Sequence, residues 1–142
     1  MDKVFNNKTR VSATILVSFV FIINVQAGLD FFLRPSIFVS AYELTGIPGQ
    51  VAIAGTGLLF IMWNVPYAFA LWNPFKNRTS LIQAILMQLI GCIGETIILF
   101  RYPHEQHSIL TTSIQRFILF DTVGLGLLVI AGLLIWRKRD TA

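Results

Sequence analysis

Residues 80–100 read SLIQAILMQLIGCIGETIILF, an apolar run bounded by Arg78 and Arg101. A helix rises about 1.5 Å per residue, so roughly 20 residues cover the ~30 Å hydrocarbon core of a bilayer. The run is therefore read as a membrane span, and its single acid, Glu95, becomes its most informative residue. A carboxylate at such depth costs on the order of 2.5–3.5 kcal/mol to insert unless it faces protein or water. Asp30 and Asp121 pose the same problem in two other apolar stretches.

Working outward, the pattern recurs three more times. Spans are predicted at 11–33, 51–72, 80–100 and 114–136, which makes residues 1–142 one transmembrane domain and an all-α integral membrane four-helix bundle. Composition agrees: 55% of residues are hydrophobic and 13% charged, where soluble domains average about 25% charged. Mean hydropathy is +0.70. The net charge of +4 does not indicate nucleic acid, because the basic residues are scattered at helix ends rather than gathered in a stripe. Lys3, Lys8 and Arg10 before an apolar run resemble a signal peptide, but the run is too long for an h-region and lacks an A-x-A site. It is read as a retained helix. Cys92 stands alone, so this chain cannot perform disulfide exchange by itself, and the thiol is expected to be buried and structural.

Arg34-Pro35 ends the first span, since a residue before proline disfavours the α region. Residues 36–45 set Ile37, Phe38, Ala41 and Leu44 on one face and Ser36, Ser40 and Glu43 on the other. That pattern predicts a short interfacial helix stopped by Gly46, with Gly46-Ile47-Pro48-Gly49 turning the chain back. Pro66 should kink the second span, with the Asn64 side chain helping to satisfy the freed backbone. Eight of the eleven Lys and Arg residues fall at the N-terminus, in the 73–78 connection or at the C-terminus; only Arg34, Arg101 and Arg116 lie on the other side. The positive-inside rule then places both termini in the cytoplasm and the protein in the plasma or inner membrane.

Counted along their helices, Glu95, Asp121 and Asp30 lie about 9, 8 and 6 Å below Arg101, Arg116 and Arg34. Three acids ringed by three arginines are thus expected to share one level in the outer leaflet, above a deeper polar set of Asn24, Asn64 and Gln88. Gln88, Gly91, Cys92 and Glu95 recur at helical spacing on one face, where small residues allow close approach. Two readings stay open. In one, Glu95 or Asp121 pairs with Arg101 or Arg116 and the groups hold the bundle together. In the other, Asp30, Asn64, Gln88, Glu95, Arg101, Arg116 and Asp121 line a polar pocket open to the outer surface, for a protonatable ligand or a quinone headgroup. His104 and His107 flank Glu105 and Gln106, but two loop ligands do not make a metal site. No metal or cofactor is expected. Nucleophile triads and phosphate-binding loops are absent.

Gly28, Pro35, the Gly46-Ile47-Pro48-Gly49 stretch and the glycines Gly55 and Gly57 of the second span form a pattern that resembles the DoxX-like membrane proteins, small four-helix proteins. The acid often found in their second helix is missing here, with Thr56 and Asn64 the nearest polar groups. The resemblance implies an accessory role beside quinone-linked or thiol-linked redox systems. The expected function is a ligand-binding or accessory membrane subunit. Its pocket would take a quinone or another amphipathic small molecule, and the chain would sit in a homo-oligomer or larger membrane complex. A small proton-coupled transporter using Glu95 or Asp121, and a lipid-modifying enzyme using the acids as acid and base, are the alternatives.

Overall fold

In hydrocarbon every backbone N–H and C=O must be satisfied within its own segment, and a helix does this locally. The computed structural model describes residues 2–102 and 105–137, with side chains from residue 7 onward, and every regular element among them is helical. These are α1 (Asp2–Leu33), α2 (Pro35–Phe38), a 3₁₀ turn (Val39–Tyr42), α3 (Gly46–Trp63), α4 (Val65–Trp72), α5 (Arg78–Arg101) and α6 (Ser108–Trp136). Among the described residues, four stretches are long and apolar enough to cross a membrane: Asn7–Leu33, Gly46–Trp72, Arg78–Arg101 and Ser108–Trp136.

The second and fourth stretches begin earlier than hydropathy predicts. Gly46-Ile47-Pro48-Gly49 starts α3 and does not reverse the chain. Gly46 takes a left-handed φ of +64°, and Pro48 sits in the first turn, where a missing N–H costs nothing. Reversal occurs sooner, at Glu43, whose φ is 55°. The expected single interfacial helix is a four-residue α2 followed by the 3₁₀ turn. Likewise Ser108–Ser113, polar enough to look like loop, are the first turns of α6. The Thr111 and Thr112 hydroxyls bond back one turn, to the His107 carbonyl at 2.8 Å and the Ser108 carbonyl at 2.9 Å.

The second span breaks at Asn64. Pro66, in the first turn of α4, has no N–H to give, and Asn64 Nδ2 donates to the Phe60 carbonyl at 2.6 Å. This break redirects the chain. α3 packs along α1, whereas α4 packs against α5. The α1–α3 contact is close because Gly28 faces Gly57. A Cβ on Gly57 would stand 2.6 Å from both the Gly28 carbonyl and the Phe32 nitrogen. α6 completes the bundle by packing on α1 and α5.

Small and branched residues fill the half of the bundle nearest the termini: Ala13, Val17, Ala70, Leu81, Ala84, Leu128, Ala131 and Ile135 form one buried cluster. The opposite half, at the end carrying the α1–α3 and α5–α6 connections, is roofed by rings. Phe31 packs against Phe38, Tyr42, Phe60 and Phe117, with centroids 4.6–6.0 Å apart. There Ser113 Oγ donates to the Ala41 carbonyl at 2.5 Å. Glu43 accepts the Leu110 N–H at 3.2 Å and meets His107 Nδ1 at 2.5 Å, so a carboxylate from the first connection caps the N-terminus of α6. The outward faces are apolar, with Ile15, Phe19, Ile90 and Leu119 all exposed. That is the reverse of a water-soluble surface and suits a lipid solvent.

Candidate functional site

Where α3 leaves α5, a gap opens between them. It deepens into a cavity of about 450 Å³ that reaches α1 and α6. Asn64, Gln88, Glu95 and Asp121 all line it, joined by Asn24 from α1 and Tyr67 from α4. Its walls include Phe60, Trp63 and Phe120. Trp63 on α3 and Ile90 and Ile98 on α5 are 48%, 69% and 45% exposed, so the mouth faces sideways, between α3 and α5. A volume of this size suits a small molecule, and mostly apolar walls with a few convergent polar groups are the usual makeup of such sites.

The floor is a fixed relay. The Tyr67 hydroxyl lies 2.6 Å from Gln88 Oε1 and 3.2 Å from the Ala84 carbonyl, and Gln88 Nε2 donates to Asp121 Oδ1 at 2.7 Å. Asn24 stands beside the same hydroxyl, so each of the four spanning stretches contributes one polar side chain. Asn24, Tyr67 and Gln88 are buried, and a buried polar group left unmatched costs about 1–3 kcal/mol, so the relay fixes the helices' rotation. Gly91 makes room for it, since a Cβ there would run into the Asp121 carboxylate.

Depth along the helices corrects the single level expected for the acids. Gln88 precedes Arg101 by thirteen residues and Asp121 follows Ser108 by thirteen. Both therefore lie about 20 Å below the connection end. Glu95 stands only six residues from Arg101, about 9 Å down. Asp121 is thus level with Gln88, not with Glu95, because α6 begins six residues before the predicted start of its span. Glu95 and Asp121 nonetheless line the same cavity. Above them, burial together with the neighbouring Glu95 carboxyl pushes the Tyr42 hydroxyl above the usual phenol range.

The remaining candidates lie apart. Asp30 pairs with Arg34 one turn on along α1. Arg101 is exposed at the end of α5. Arg116 is exposed too and lines a separate apolar groove between α1 and α6, with Phe19 and Leu119. Neither arginine pairs with Glu95 or Asp121, because among the described residues the ion pairs are Asp30–Arg34 and Glu43–His107. Cys92 is half-buried, 3.3 Å from Thr122 Oγ1 at the α5–α6 contact rather than in the cavity. No group of three metal-ligating side chains occurs among the described residues, and His104 lies outside them. Tyr67 was missed by sequence reasoning. Its spacing of three from Asn64, across Pro66, is the signal that places both on one face.

No family model, curated protein or solved structure matches this chain.

Proposed function

We propose that this protein is a ligand-binding or accessory membrane subunit that holds the polar end of an amphipathic small molecule. The carrying observation is that Asn64, Gln88, Glu95 and Asp121, from three different spans, line one cavity whose mouth opens sideways between α3 and α5. A ligand entering there comes from the bilayer and leaves its apolar part against Trp63, Ile90 and Ile98. The buried cluster beyond Gln88 and Tyr67 offers no polar path toward the termini, which favours a dead-end pocket over a proton-coupled transporter. No Ser, Thr, Cys, Lys or His is among the cavity residues, which counts against a lipid-modifying enzyme.

In this reading both termini are cytoplasmic, in a plasma or inner membrane, and the mouth lies toward the outer half. α2 and the 3₁₀ turn then rest at the outer interface. The pattern shared with the DoxX-like proteins supports an accessory role. The test uses thermal unfolding in detergent, with and without lipid extract from the native membrane. Glu95 has no ion-pair partner among the described residues, so Glu95→Gln should change stability by less than about 1 kcal/mol while removing the extract-dependent shift. A loss of about 3–5 kcal/mol, as for a broken buried pair, with no extract effect on the parent protein, would sink the proposal.

A further inference from the structure

The polar atoms of the cavity are unequally matched. Three of its donors have protein partners: Asn64 Nδ2 on the Phe60 carbonyl at 2.6 Å, Tyr67 on Gln88 at 2.6 Å, and Gln88 Nε2 on Asp121 at 2.7 Å. Two of its acceptors have none. Asn64 Oδ1 and Glu95 Oε2 are both buried without a hydrogen-bond partner. Turning the Asn64 amide over gives no relief, because that sets two oxygens 2.6 Å apart. Asn64 is only 4% exposed, so bulk solvent does not serve it either. No Lys, Arg or His lines the cavity, while Phe60, Trp63 and Phe120 present aromatic rings.

A quinone headgroup offers only acceptors and would leave Asn64 Oδ1 without a donor. A ligand with N–H donors and positive charge suits this lining, with its open acceptors, two carboxyl groups and aromatic rings. We propose that the cavity binds a protonated lipophilic amine, its ammonium between Glu95 and Asn64 and its apolar body leaving through the α3–α5 mouth. This rests on the reading of the cavity as a site for an amphipathic molecule and names the class.

The protein in phosphatidylcholine nanodiscs is titrated with decylamine, decyl sulfate and decylubiquinone. Tryptophan fluorescence and the thermal midpoint are the readouts. Decylamine should raise the midpoint by several degrees and change the emission, and Trp63→Phe should remove the optical signal alone. Glu95→Gln should weaken amine binding at least tenfold. Gly94 lines the cavity with no atom within 4 Å of an added Cβ, so Gly94→Leu fills the space and leaves the polar groups in place. It should abolish amine binding in a folded protein even where Glu95→Gln fails to fold. Binding of decylubiquinone with decylamine inert overturns the amine assignment and leaves the cavity reading standing. Decyl sulfate binding as well as decylamine, or amine binding untouched by Gly94→Leu, also overturns the assignment. If none of the three binds, the cavity reading falls with it.

Discussion

Tyr67, Gln88 and Asp121 hold the cavity floor, and each can be tested by removing one partner. Tyr67→Phe deletes a donor and leaves Gln88 Oε1 unmatched, which should destabilise the bundle by about 1 kcal/mol, a typical value for helix–helix hydrogen bonds in membranes. Gly91→Ala should cost more, because the added methyl displaces the Asp121 carboxylate and breaks its bond to Gln88. Chemical unfolding in mixed micelles measures both. Parts of this were legible in the residues. The i, i+4 spacing already relates Asp30 to Arg34, and Gln88, Gly91 and Glu95 do share a face. The pairing of Gln88 with Asp121 was not legible, because periodicity gives the face of a helix but not its depth against a neighbour. Tyr67 was hidden for another reason: a tyrosine in an apolar run reads as a lipid-facing or interfacial ring until its hydroxyl is seen to have a buried partner.

At the scale of elements, the α1–α3 contact and the cap on α6 make opposite demands. Gly57→Ala forces a methyl against backbone atoms that cannot yield, so it should destabilise by about 1–3 kcal/mol as overpacking does. Gly55→Ala, whose Cβ meets nothing within 4 Å, is the matched control and should be neutral or slightly stabilising. The cap is electrostatic and pH-dependent. The His107 hydrogen bond and then the Leu110 N–H hold Glu43 below its ordinary value of 4.5. A lowered carboxylate pKa contributes stability above that value and loses it as pH falls through the folded one. The thermal midpoint of the parent should therefore drop on acidification below about pH 4.5 more steeply than that of Glu43→Gln, as circular dichroism can follow. Hydropathy located all four long helices yet missed the true starts of α3 and α6. Gly46 and the hydroxyl-rich first turn of α6 look like loop to any scale that counts polarity, but backbone conformation and back-bonded hydroxyls carry the helix through them.

For the whole molecule, orientation is the decisive measurement. Reporter fusions at Asn77 and at the C-terminus should read cytoplasmic and one at Gln106 external, following the bias of eight basic residues against three. An external signal at Asn77 inverts the bundle and turns the cavity mouth toward the inner half. The tightly packed end and the open end also carry different consequences for substitution. Changes among Ala13, Ala70 and Ala131 should disturb folding, whereas changes at Trp63 or Ile98 should leave the bundle intact.

The floor relay also dictates an order of events while the chain is being made. Domains are synthesised from the N-terminus, and α6 emerges after α1, α3, α4 and α5. Tyr67 and Gln88 can meet as soon as α4 and α5 have entered the lipid, but the carboxylate that Gln88 serves arrives only with α6. Until then α1 lacks the neighbour along its remaining side, and Gln88 Nε2 lacks its carboxylate acceptor in hydrocarbon. A nascent chain ending before Ser108 should therefore be cleared by membrane proteases far faster than the full chain, and pulse-chase labelling would time the difference. Asp121 is the residue whose late delivery completes assembly.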